Sequence, residues 1–189
     1  MNKNSLWMLA AILSYSFAMT ACGGCSAIDD ETNGDEVIEA DSLVVGDQLP
    51  EFEVTMNDGS VVRTADLLGQ PSVVVLFSVD CMDCRHQLPQ IQRLWDMNQK
   101  NSVIQGQRIP IVLIARECTE EDIEPFWKFS EFTMPYSPQP NRRVYSLFAP
   151  RVIPRIYISD AQGIIRYMHV DIGMPTAETI VNEIKELKQ

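Results

Sequence analysis

Ser72-Val73-Val74-Val75-Leu76-Phe77-Ser78-Val79-Asp80-Cys81-Met82-Asp83-Cys84-Arg85-His86 is the stretch that decides the fold. Its first half is a continuous apolar run rich in β-branched residues, the pattern of a central strand covered on both faces. Its second half opens a helix from Cys84 to Lys100, in which Leu88, Ile91, Leu94 and Trp95 recur at helical spacing. Pro89 interrupts that helix and should kink it. A C-x-x-C therefore falls where a buried strand gives way to a helix. A helix N-terminus presents unpaired N–H groups and a partial positive charge, and both favour a thiolate over a thiol. A cysteine held there becomes a nucleophile near neutral pH. Cys81 is expected to be the exposed attacker, and Cys84, one turn further in, to resolve the mixed disulfide. Two other uses of the motif stay open. One is a structural disulfide. The other is a zinc site, for which Cys118, His86 and His169 are the remaining ligands, at no characteristic spacing.

Working outward, Glu51 to Met56 alternates as a half-buried strand, Asn57-Asp58-Gly59-Ser60 supplies a hairpin turn, and Val61-Val62-Arg63 returns. Asp66-Leu67-Leu68-Gly69 reads as a short helical turn stopped by glycine. After the C-x-x-C helix, Ile109 to Ala115 is a second buried strand. Thr119 before Glu120-Glu121-Asp122 is an N-cap with acids in the first turn, and that helix should carry Ile123, Phe126, Trp127 and Phe129 inward. Residues 133–154 are irregular and rich in proline. Arg155 to Ser159 and Ile164 to Val170 form a hairpin across Asp160-Ala161-Gln162-Gly163. Pro175 to Leu187 closes the chain as a helix whose inner face is Ile180, Val181, Ile184 and Leu187. The order is a β-hairpin, then β-α-β-α, then β-β-α, which predicts an α/β fold with a central sheet flanked by helices on both faces.

The 189 residues suit one domain with appendages, and an apolar fraction of 46% suits a real core. A net charge of −11 argues against a nucleic-acid partner, which would need a basic face. Lys3, the apolar run Leu6 to Phe17 and the small residues before Cys22 make residues 1–21 a secretory signal peptide, too short for a comfortable membrane span. Met19-Thr20-Ala21-Cys22 resembles a bacterial lipoprotein processing box, which makes Cys22 the lipidated residue and Cys25 a weaker rival. Residues 22–43 are then an acidic tether. Asp29, Asp30, Glu31, Asp35, Glu36, Glu39 and Asp41 repel one another without a Lys or Arg between them. Gly23 after Cys22 is not the Asp-type inner-membrane retention signal, so a lipid-anchored place in the cell envelope, at the outer membrane, is expected.

From Val44 to the C-terminus the chain resembles the thioredoxin superfamily, in its branch of extracytoplasmic, membrane-tethered reductases related to the cytochrome c maturation thioredoxins. Val45-Gly46-Asp47-Gln48-Leu49-Pro50-Glu51-Phe52, Asn57-Asp58-Gly59 and Asp66-Leu67-Leu68-Gly69-Gln70 carry the likeness. So do Cys81-Met82-Asp83-Cys84, Pro89 five residues later, and Val152-Ile153-Pro154 before Arg155-Ile156-Tyr157-Ile158. The resemblance implies a thioredoxin-like fold over residues 44–189, Cys81 as nucleophile, Cys84 as resolving cysteine, and Pro154 as a cis-proline facing them. It also implies that Ile153 offers its backbone to a client peptide as a short extra strand. The chain departs from the family in having Asp80 where Trp often precedes the first cysteine, and Val75 where many members bury an acid. Asp80 and Asp83 disfavour a thiolate at Cys81, whereas Arg85 and His86 act in the opposite sense. Cys118, after the second buried strand, lies at the sheet end where sites gather and is either a third redox cysteine or an idle buried thiol.

The expected activity is reduction of disulfides in exported proteins. It needs no cofactor beyond the dithiol, and it needs a membrane electron donor because no flavin or nicotinamide motif appears. Two alternatives remain. A peroxiredoxin-like thiol peroxidase has faint support in Ser78, three residues before Cys81, although Val74 stands where that motif has proline. A non-catalytic binding lipoprotein on the same scaffold is the other, since fold alone never settles activity.

Overall fold

The computed structural model describes residues 42–188, apart from 101, 102, 104, 105 and 172. The signal segment, Cys22, Cys25 and the tether as far as Asp41 lie outside the described residues. Among the described residues, six strands and three α-helices follow in the expected order. β1 (Glu53–Thr55) and β2 (Val61–Arg63) form an antiparallel hairpin of their own, continued by a 3-10 turn at Thr64–Leu67. That turn begins two residues before the expected one, because the Arg63 N–H is capped by Asp66 Oδ2 at 2.8 Å. The buried Thr64 hydroxyl fastens the hairpin to the body, accepting from Phe52 N–H at 2.8 Å and donating to the Pro50 carbonyl at 2.7 Å.

The main sheet has the order β4-β3-β5-β6, from β3 (Ser72–Phe77), β4 (Ile111–Ala115), β5 (Arg155–Ser159) and β6 (Ile165–Val170). β3 and β4 are parallel, and the β3–β5 and β5–β6 pairs are antiparallel, so the sheet is mixed. All six residues of β3 are buried, which requires cover on both faces of the sheet. Buried Ser72 and Ser159 satisfy one another across β3 and β5 at 2.7 Å. The β5–β6 turn needs glycine at position 163. Its φ is +79°, and a Cβ there would come within 2.6 Å of the Gln48 side chain.

The first helix, α1 (Met82–Gln99), starts two residues earlier than the apolar spacing predicts, which leaves Cys81 as its N-cap. Cys84, Leu88, Ile91 and Leu94 make the buried stripe, while Trp95 is only partly covered. Buried Asn98 ties the end of α1 to the approach of β4, exchanging hydrogen bonds with Ile109 at 2.9 and 3.0 Å. In α2 (Glu120–Phe129), Thr119 and Asp122 form the expected capping box. Ile123 and Trp127 are buried and Phe126 packs at the margin, but Phe129 is 88% exposed, which corrects its inward placement. Phe129 is the last helical residue and stands two positions after buried Trp127, off the helix face that Ile123 and Trp127 turn inward. The cluster centres on Trp127, whose ring lies 5.3 Å from Phe77 and 4.7 Å from Tyr136. α3 (Ala177–Glu186) buries Ile180, Val181 and Ile184 and contacts α1, while Leu187 caps its end. The segment between α2 and β5 is irregular, as expected. Within it Ser137 extends the free edge of β4, and Cys118 pairs with Gln139.

Candidate active site

The parallel β3–β4 pair delivers two chain ends to one edge of the sheet: Ser78 to Cys84 beyond β3, and Arg116 to Cys118 beyond β4. Cys81 has extended backbone angles (φ −88°, ψ 122°) and serves as N-cap of α1. Its sulfur accepts the Cys84 N–H at 3.4 Å, and its carbonyl accepts the Arg85 N–H at 3.1 Å. The sulfur thus occupies the place where a helix offers free amide hydrogens and the positive end of its dipole.

Cys81 is half-buried and Cys84 is fully buried. Burial pushes the Cys84 thiol well above the ordinary range, opposed by a backbone hydrogen bond at Ser78 and by the field of Arg116, and reinforced by Cys81. The two cysteines are therefore unequal, one open to a partner and one kept protonated behind it. Facing them, the Ile153–Pro154 peptide is cis, as the resemblance implies, and the Ile153 carbonyl lies 3.6 Å from Cys81 Sγ. Ile153 and Pro154 are both buried, so the loop presents main chain more than side chain.

The four charged neighbours do not act alike. Asp80 and Asp83 are exposed beside the motif, and His86 is exposed on the next turn. The Arg85 guanidinium turns back to donate to the Val79 carbonyl and lies 5.3 Å over the Phe126 ring, so it does not reach towards Cys81. Val75 is buried, where many thioredoxins have an acid. Cys118 is fully buried, 3.1 Å from the Ser78 hydroxyl, which also accepts the Asp80 N–H at 3.2 Å. Among the described residues, no group of three or more His, Cys, Asp or Glu could hold a metal ion.

Sequence reasoning passed over three residues around this site. Arg116 lies close enough for its charge to act on Cys84, and its guanidinium stacks 5.2 Å from the Tyr145 ring. Tyr145 and Arg155 both bind the loop before Pro154. Arg155 had one legible signal, a charge heading the otherwise apolar strand Ile156-Tyr157-Ile158.

Residues 45–168, more than half of the chain, match the AhpC/TSA family. This chain belongs to the AhpC/TSA family. The matched region of this AhpC/TSA protein contains Cys81, Cys84, Ile153 and Pro154. No curated protein matches it. Among solved structures it is similar to a proposed protein disulfide isomerase from Bacteroides thetaiotaomicron, at 24% identity and a TM-score of 0.67, covering 78% of this chain and 92% of that one. It is similar to a thioredoxin-family thiol:disulfide interchange protein from Chlorobium tepidum TLS, at 18% identity and TM-score 0.62, over 78% and 100% of the two chains. A pneumococcal exposed lipoprotein thioredoxin from Streptococcus pneumoniae matches at 19% identity and TM-score 0.58, over 72% and 99%. At these identities the likeness is one of fold, and it makes the AhpC/TSA protein's fold thioredoxin-like, as its sequence implies.

Proposed function

We propose that this protein is an extracytoplasmic thiol–disulfide oxidoreductase that reduces disulfides of exported proteins through Cys81 and Cys84. The observation that carries the reading is the setting of one sulfur. Cys81 Sγ sits at a helix cap, with the Cys84 N–H on one side and the Ile153 carbonyl before the cis-proline on the other. In the reaction, the Cys81 thiolate attacks one sulfur of a client disulfide. A Cys81–client disulfide forms and the other client sulfur leaves as a thiolate. Cys84 gives up its proton to that thiolate or to water and attacks Cys81 Sγ, and the second client sulfur leaves as a thiolate that takes its proton from solvent. Two electrons have passed to the client, and Cys81–Cys84 is left as a disulfide for an external dithiol donor to reduce. Because apolar Val75 stands buried where many thioredoxins have an acid, resolution relies on the leaving client sulfur or solvent to take the proton.

The reducing direction is supported by local charge. Asp80 and Asp83 stand exposed beside the motif while Arg85 is committed elsewhere, and negative surroundings favour the pair as an electron donor. Attachment through a lipid on Cys22, a place at the outer membrane and a membrane electron donor belong to the same proposal and rest on the sequence. Among the described residues, no helix is long and apolar enough to cross a membrane. The peroxidase alternative draws less support, because the Ser78 hydroxyl is engaged by Cys118 and the Asp80 amide.

The test is reduction of insulin disulfides with dithiothreitol as donor. The wild-type protein should accelerate it, and Cys81→Ser should abolish the acceleration. Cys84→Ala should accumulate covalent adducts with client proteins at Cys81. Peroxide consumption that depends on Cys81, with no insulin reduction, would replace this reading by the peroxidase one.

A further inference from the structure

The carbonyls from Pro150 to Pro154, on both sides of the cis peptide bond, all have a neighbour that holds them in place. Pro150 accepts from Arg142 Nη1 at 3.3 Å, and Arg151 from Arg155 Nε and Nη2 at 3.2 and 3.0 Å. Val152 accepts from Tyr145 Oη at 2.9 Å and from Arg155 Nε at 3.0 Å. Ile153 faces Cys81 Sγ, and Pro154 accepts the Asp171 N–H at 3.3 Å. Val152 has φ +65°, a left-handed conformation that a β-branched side chain strongly resists. Arg155 is 2% exposed and Tyr145 is 1% exposed, so both donors on Val152 are built into the interior. Two guanidiniums lie over the Tyr145 ring, Arg116 at 5.2 Å and Arg142 at 6.0 Å from its centroid.

Burying a guanidinium is costly unless its donors are used, and a planar fork suits adjacent carbonyls better than a point charge does. Here that fork meets two successive carbonyls immediately before Ile153. We propose that Arg155 and Tyr145 are positioning residues for client recognition, holding Val152 left-handed so that the Ile153 main chain stands opposite Cys81 as a preformed pairing edge for a peptide. The pair touches neither sulfur and acts only through the loop backbone. It therefore matters for substrates that carry a peptide backbone and is indifferent to small disulfides, which reach Cys81 without pairing to Ile153. The inference rests on the oxidoreductase reading.

Kinetics on two substrates test it. Insulin supplies a disulfide on a peptide chain, and 2-hydroxyethyl disulfide supplies one without. Tyr145→Phe removes a single hydroxyl, and Arg155→Met removes the fork while keeping a long apolar stem. Loss of one hydrogen bond that fixes the loop should raise KM for insulin about tenfold, with kcat within twofold of wild type. Rates on 2-hydroxyethyl disulfide should stay within twofold. If Arg155→Met does not fold, Tyr145→Phe carries the test alone. An unchanged KM for insulin in folded Tyr145→Phe overturns the proposal. So does an equal loss on both substrates, which would make the pair mere scaffolding. A wild-type protein inactive on both disulfides, with Cys81 still open to alkylation, refutes the oxidoreductase reading instead and the proposal with it.

Discussion

Replacing Cys84 by Ala should flatten the alkaline stability profile of the reduced protein. Cys84 is fully buried, and desolvation pushes its thiol well above the value of 9.0 that it has when exposed. The sign follows from proton counting. Below pH 9 both folded and unfolded chains keep this proton, so the group is neutral in its effect. Above pH 9 the unfolded chain loses the proton while the folded chain retains it, and stability falls as pH rises. With one extra proton on the native state, the slope tends to about 1.4 kcal/mol per pH unit, and the loss between pH 9 and pH 10 is about 1 kcal/mol. The window closes near pH 10. Buried Tyr157 is also raised above its ordinary value of 10.0, chiefly by desolvation, and adds its own decline beyond that point. The assay is urea unfolding at pH 8, 9, 9.5 and 10 with excess reductant, for wild type and Cys84→Ala. Slopes are compared, not levels, because the alanine variant also changes packing. Parallel profiles from pH 9 to pH 10 would refute the claim that burial holds the Cys84 proton in place.

Three further outcomes follow from burial. Iodoacetamide at pH 8 should label Cys81 in the folded, reduced protein at least a hundredfold faster than Cys84 or Cys118, which are both fully buried. Peptide mass mapping before and after denaturation reads the difference, and comparable rates would contradict the described exposure. Trp127→Ala should cost about 3–5 kcal/mol, because it empties the centre of the cluster with Phe77, Phe132 and Tyr136. Phe129→Ala, two residues along on the solvent side, should stay within about 0.5 kcal/mol of wild type. Thermal or urea unfolding separates the two.

The succession of elements along the chain and the location of the C-x-x-C were legible because they rest on local patterns. A run such as Val73 to Phe77 cannot be solvent-exposed, and a hairpin turn such as Asn57-Asp58-Gly59-Ser60 declares itself through its residue types. Element ends were less legible. α1 begins at Met82 because Cys81, not a residue marked by apolar spacing, supplies the cap. Phe129 stands six residues after Ile123, off the i, i+3, i+4, i+7 stripe that Ile123, Phe126 and Trp127 follow, and so points outward. Arg85, read from sequence as a charge near the nucleophile, is withdrawn onto Val79 and Phe126, contacts that only folding creates.

By itself, then, the sequence determined that an α/β domain would carry a paired-cysteine motif at a strand-to-helix junction, while the proline loop facing it was implied only by the family resemblance. Hydrophobic period, turn chemistry and motif spacing are local properties that a linear chain can display. Only the tertiary structure decided that one sulfur is open and the other sealed. It also decided that the Ser78 hydroxyl belongs to Cys118, and that Tyr145 and Arg155 meet at one carbonyl beside Pro154. Desolvation and hydrogen bonding between residues distant in sequence arise only when packing brings those residues together.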